Sequence, residues 1–95
     1  MRIFSRSTLR NFWNKPKNRD AKGPLAAWFA ETSNAHWKNT ADVKAAYGSV
    51  DFVNGLAVFN IHGNKYRLIV DINFEYQSVY VHFVGTHKEY DKFQF

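Results

Sequence analysis

Residues 65–74 read KYRLIVDINF, and this stretch decides the fold. Tyr66, Leu68, Val70, Ile72 and Phe74 alternate with Lys65, Arg67, Ile69, Asp71 and Asn73. A period of two is the mark of a half-buried strand. The first set is apolar throughout and belongs on a core. The second set opens with two cations, so Lys65 and Arg67 are expected to point together towards solvent or a ligand. This stretch is read as the central strand of an antiparallel sheet and the platform of the functional surface.

The neighbouring segments extend that sheet. Val50–Val53, Asn54-Gly55 and Leu56–Ile61 read as a hairpin, because Asn-Gly supplies the positive φ angles of a two-residue turn. His62-Gly63-Asn64 forms a second turn and Tyr76–Ser78 a third. Val79–Val84 is the last strand, with Val79, Val81 and Phe83 on one face and Tyr80, His82 and Val84 on the other. Gly85–Asp91, GTHKEYD, follows as a polar segment dense in titratable groups.

The first half of the chain reads differently. Met1–Phe4 suits an edge strand, and Ser5 or Ser7 can cap the helix after it. Leu9, Phe12 and Trp13 make one apolar stripe, and Pro16 ends that helix near Lys15. Pro16–Gly23 is a polar, basic connection. Pro24 begins a second helix with Leu25, Trp28 and Phe29 buried. Trp37 is a core anchor and His36 a surface residue. Thr40–Tyr47 is a short third helix, capped by Thr40 and ended by Gly48, with Val43, Ala46 and Tyr47 inward. Helices gathered before strands indicate an α+β fold rather than a doubly wound one.

Ninety-five residues make one domain with a small core. Aromatic side chains, 18% of the chain, compensate, since each buries roughly 150–250 Å². No cysteine is present, so disulfides and thiolate metal sites are excluded and a reducing cytoplasm is permitted. No apolar run approaches the roughly 20 residues of a membrane span, and Arg2, Arg6 and Arg10 interrupt any signal-peptide core. A soluble cytoplasmic protein, not a membrane one, is expected. The formal charge is +5, yet residues 1–22 carry seven basic side chains against Asp20 alone. Such a patch favours a polyanion, most often nucleic acid, with Arg6, Arg10, Lys15, Lys17, Lys22 and Lys88 as backbone contacts. A charged face that only keeps a helix soluble is an equal reading of the charge by itself.

The chemistry has few candidates. The His residues are not at metal-ligand spacing, no glycine-rich phosphate loop occurs, and no Ser lies in a nucleophile elbow. No cofactor and no metal are expected. Antiparallel pairing of 65–74 with 79–84 would bring Lys65 and Arg67 to the end of the sheet where His87, Lys88, Glu89, Tyr90 and Asp91 follow. RNA cleavage needs a base for the 2′-OH proton, positive charge for the transition state and an acid for the leaving 5′-oxygen. An imidazole such as that of His87 can act as acid or base near neutral pH, Lys65 and Arg67 can supply charge, and Tyr90 can stack on a base or orient a phosphate. The plain alternative for THKEYD is a helix cap.

FNIHGNKYRLIVDINF (59–74) with VYVHFVGTHKEYDKF (79–93) resembles the HigB toxins of bacterial toxin–antitoxin systems, within the RelE-like superfamily. MRIFSRSTLRNFW and WKNTADVKAAYGSVDFV (37–53) resemble that family too. His62 departs from the pattern, where a second turn glycine is expected, and the tail after YDKF is short. The resemblance implies a RelE-like fold: an N-terminal strand and two to three helices packed on an antiparallel sheet. It implies an mRNA interferase that cuts mRNA, commonly on the ribosome, halts translation and is neutralised by a helix-turn-helix antitoxin of the HigA type. Carried onto this sequence, the site is Lys65, Arg67, His87 and Tyr90, with Glu89 and Asp91 behind them. The expected reaction is metal-independent 2′-OH attack on the adjacent phosphate. The alternatives are a non-catalytic RNA-binding module using the same surface, with Tyr80 and Tyr90 stacking on bases, and a domain whose basic patch serves an acidic protein.

Overall fold

The structure, a computed structural model, describes all 95 residues. A five-stranded sheet runs β1 (Arg2–Phe4), β5 (Ser78–Thr86), β4 (Tyr66–Asn73), β3 (Leu56–Ile61), β2 (Asp51–Val53) from edge to edge. The 65–74 stretch therefore supplies the middle strand, as its alternation predicts. All pairings are antiparallel except β1 with β5, which is parallel. Helices α1 (Arg6–Trp13), α2 (Lys22–Asn34) and α3 (Thr40–Ala46) precede β2, and α4 (His87–Asp91) follows β5. This is the α+β arrangement expected of a RelE-like toxin. No helix is long and apolar enough to cross a membrane.

One face of the sheet carries the main core. Tyr66, Leu68, Val70, Val79 and Val81 are buried there with Leu9 and Phe12 of α1 and Leu25 and Trp28 of α2. Aromatic edges lock the layers: Phe12 meets Tyr66 at 5.3 Å, Trp28 meets Phe59 at 5.6 Å, and Tyr47 meets Phe59 at 5.2 Å. Such contacts add roughly 0.5–1.5 kcal/mol each beyond the area they bury. Trp37 is buried as expected, and its carbonyl accepts from Gln77 Nε2 at 2.6 Å.

The second face is not fully solvated. Val58 and Ile69 are buried, yet they lie outside the main cluster. The cause is a bulge in β5. Ile69 faces Phe83 while Val70 faces Val81, so His82 is the extra residue. An extra residue reverses side-chain parity beyond it. Phe83 therefore leaves the face of Val79 and Val81 and joins Ile69, while Val84 turns to the helical side. The strict alternation expected for Val79–Val84 fails at this point.

Smaller corrections follow from backbone geometry. Ser5 occupies the cap position of α1 in a left-handed conformation, φ 70°, and its side chain makes no capping bond. The connection after α1 is a 3-10 helix, Pro16–Ala21, that runs directly into α2. Asn39 rather than Thr40 caps α3, accepting from the Asp42 N–H at 3.0 Å. Ala46 is exposed, and Tyr47 rather than Gly48 ends that helix. The Asn54-Gly55 turn forms with φ of 50° and 82°. His62 adopts φ 54°, a left-handed residue beside Gly63, which explains why a glycine suits that position.

Candidate active site

The polar segment after β5 folds into α4 through a capping box. The Thr86 hydroxyl accepts from the Glu89 N–H at 3.2 Å, and the Glu89 carboxylate accepts from the Thr86 N–H at 2.9 Å. That backbone bond holds the Glu89 carboxyl below the usual carboxylate range, helped by the charges of Lys17 and Lys15. Glu89 is thus committed to building the helix. Gly85 lets α4 fold back over the sheet. A Cβ there would lie 2.5 Å from Phe83 Cζ and 3.1 Å from Glu89 Cβ. Phe83 lies across this glycine, Phe93 packs on Phe83 at 5.2 Å, and Phe95 reaches both Phe93 and Tyr90, at 4.9 and 6.1 Å.

This folding back places Tyr90 between two other candidates. Arg67, which pairs with Gly85 in register, sets its guanidinium carbon 5.7 Å from the Tyr90 ring centroid. The guanidinium donates to the carbonyls of Asn64 and Tyr66, at 3.1 and 3.4 Å, and meets no carboxylate. His87 stands edge-on to the same tyrosine, 6.3 Å between ring centres. Its Nδ1 is 3.4 Å from Asp91 Oδ2 one helical turn later. Arg67, Tyr90 and His87 therefore form a continuous row on the outer face, as the pairing of the strands predicts. The row combines a forked cation free to take a phosphate, an aromatic ring, and a group able to move a proton.

Lys65 is not part of that row. Its ammonium bonds to Asp20 in the 3-10 segment, and the Tyr66 hydroxyl donates to the other oxygen of the same carboxylate. His62 Nε2 lies 3.6 Å away. The Lys65 and Tyr66 bonds hold the Asp20 carboxyl below its ordinary range, and Asp20 holds the Lys65 ammonium above its own. Burial, then Asp20, pushes the Tyr66 hydroxyl up. The expectation that Lys65 and Arg67 point together is overturned: Lys65 precedes β4, lies in the turn, and is drawn to the only acid of the basic segment.

The remaining basic candidates are spread along the helical side and its rim. Arg6 lies 4.8 Å over Phe29, while Arg10, Lys15, Lys17, Lys22 and Lys88 are exposed. Lys65 alone among the 13 Lys and Arg residues forms an ion pair with a carboxylate. A cleft of about 250 Å³ opens between α1 and β5, lined by Thr8, Asn11, Phe12, Lys15 and Val84. It holds none of the row. An open surface rather than a cavity is the form that suits a polymer.

Sequence reasoning gave no role to Asp20 and kept Asp91 only behind the leading candidates. Both carried a signal: Asp20 is the lone acid among seven cations, and Asp91 follows His87 at the i,i+4 spacing of helical neighbours. Thr86-x-x-Glu89 is likewise a legible capping box.

Residues 21–93 match the family model for HigB toxins, described as the RelE-like toxic component of a toxin–antitoxin system. The chain belongs to the HigB toxin family. The match takes in β2–β5 and α4, hence the whole Arg67–Tyr90–His87 row, and begins after β1 and α1. Over 75 residues the chain is 35% identical to the mRNA interferase toxin HigB of Escherichia coli K12, spanning 76% of this chain and 72% of that protein. The mRNA interferases HigB of Escherichia coli O157:H7 and Shigella flexneri match with the same identity and the same coverage. Within a HigB toxin, the capped α4 is the element that joins the candidate proton carrier to the strand bearing the candidate phosphate ligand.

Proposed function

We propose that this protein is an mRNA interferase, a toxin that cuts mRNA on the ribosome and stops translation. The observation that carries the reading is the meeting of Arg67 and His87 on one tyrosine, with the guanidinium unclaimed by any carboxylate. The names of its HigB relatives, mRNA interferases, support the same conclusion.

The reaction is metal-independent. A ribose 2′-oxygen attacks the adjacent phosphorus as its proton leaves, and the bond from phosphorus to the 5′-oxygen breaks. The 5′-oxygen takes up a proton, so the products are a 2′,3′-cyclic phosphate and a 5′-OH. His87 Nε2 moves a proton, and Asp91 positions the ring through Nδ1. Arg67 stabilises charge on the phosphorane-like transition state with its planar fork. Tyr90 holds the Arg67 fork by cation–π contact and stacks on a base or orients the phosphate. Lys65 adds positive potential from the rim, reduced by its pairing with Asp20. Arg6, Arg10, Lys15, Lys17, Lys22 and Lys88 grip mRNA or ribosomal RNA backbone. The protein works in the cytoplasm and is neutralised by a helix-turn-helix antitoxin of the HigA type.

The test is end mapping on ribosomes translating a defined mRNA. New 5′-OH ends that appear with wild type and vanish with His87→Ala or Arg67→Ala are expected. Tight RNA binding without new ends would instead assign a non-catalytic RNA-binding module.

A further inference from the structure

The row around Tyr90 occupies only one end of the outer sheet face. At the other end, Phe4 of β1 and Tyr80 of β5 pair in register. Their rings stack nearly parallel, 12° between planes and 4.8 Å between centres. Arg2 lies on the same side of β1, its guanidinium carbon 5.5 Å from the Phe4 ring, and meets no carboxylate. Tyr80 is 45% exposed, so the ring is open to a ligand. Across the ladder its partner is Asp71, exposed and without a cationic partner. Cβ atoms of such cross-strand partners lie roughly 4.5–5.5 Å apart.

Arg67 and Asp71 are both on β4, four residues apart on the same face. At about 3.3 Å per residue the separation is roughly 13 Å. That distance exceeds one nucleotide and falls within the next ones along an extended strand. The geometry points to a base-reading subsite: Tyr80 stacks on a base further along the strand than the one beside the cleaved linkage, and the Asp71 carboxylate accepts from that base's amino group. Arg2 reaches the backbone that follows. Stacking is indifferent to base identity, because every base has a π face. The carboxylate is not. It rewards adenine, cytosine or guanine, which carry exocyclic amino donors, over uracil, which has none. The occupant is single-stranded RNA continuing from the Arg67–Tyr90–His87 row along one face, so the assignment rests on the proposed endoribonuclease reading for its continuity.

Binding separates this subsite from catalysis. The probes are 2′-O-methyl oligonucleotides, which lack the attacking hydroxyl, from a dinucleotide up to about eight nucleotides, within the usual single-strand site size. Affinity for the full chain should rise with length until the strand reaches Tyr80. Tyr80→Leu, which keeps apolar cover on Phe4 and should melt near wild type, should lose that increment, roughly ten-fold. Tyr80→Phe should keep it. Asp71→Ala should abolish the preference against uracil at one position. Equal affinities of wild type and Tyr80→Leu at every length would overturn the subsite, even with mRNA cleavage intact. A clear length increment in a protein that cuts no mRNA would sustain the subsite and remove the endoribonuclease reading.

Discussion

Lys65 and Arg67 stand two residues apart, one in the turn before β4 and one on the strand, and their surroundings differ completely. Lys65 is spent on Asp20, inside a network that also takes the Tyr66 hydroxyl and lies near His62. Arg67 touches backbone carbonyls and an aromatic ring, with no anion to neutralise it. The two ends of this contrast do different work. The Asp20 network ties the basic segment to the sheet, and the Arg67 row keeps a charge available. A cation held in an ion pair has little potential left for a phosphate, whereas an unpaired guanidinium does. The difference shows that counting cations on a strand is a poor guide to a site unless their partners are known.

Removing the free cation is the strongest way to test the contrast. Arg67→Ala and His87→Ala should each lower mRNA cleavage by about two to four orders of magnitude, the range of a lost general acid–base or charge-stabilising group. Both should melt near wild type. Lys65→Ala should cost less than about ten-fold in the same assay, since its charge is already paired. Equal losses at 65 and 67 would break the distinction.

The next effect acts on the platform. Gly85→Val would push against Phe83 and Glu89 Cβ, so it should destabilise by about 1–3 kcal/mol and release α4 from the sheet. Activity should fall with it, while the Asp20 side stays intact. Chemical denaturation and cleavage rates check both. Thr86→Val removes the cap acceptor and should cost about 1 kcal/mol, with a smaller loss of activity.

The smallest effect belongs to Asp20. Its folded pKa is depressed, so its contribution is present above the ordinary carboxylate value of about 3.9 and is lost as pH falls through the lower folded value. Lys65 is shifted upwards, so its share is complete below about 10.4 and is lost as pH rises through the higher folded value. Both are present at neutral pH. Denaturation midpoints followed from neutral to acid should fall less steeply for Asp20→Asn than for wild type.

Much of the fold was legible from period and turn chemistry. KYRLIVDINF alternates without a break, and Asn54-Gly55 marks the β2–β3 hairpin before it. The bulge at His82 was not legible, because an extra residue leaves no mark in a run of apolar and aromatic side chains. Its consequence is large: parity beyond His82 reverses, Phe83 crosses to the outer face, and Gly85 and α4 can close on it. The pairing of 65–74 with 79–84 correctly brought Arg67, His87 and Tyr90 to one end. It failed for Lys65, since periodicity governs side chains inside a strand and not those in the turn before it. The Asp20 partner lies 45 residues away in sequence, beyond any local pattern.

The central claim is that Arg67 and His87 act on one linkage. The direct measurement is a double-mutant cycle in cleavage of a defined mRNA on translating ribosomes, comparing wild type, Arg67→Ala, His87→Ala and the double variant. Groups that work as a unit are strongly non-additive. The double variant should therefore be scarcely slower than the worse single one. Losses that simply multiply, or cleavage that survives both substitutions, would contradict a shared site.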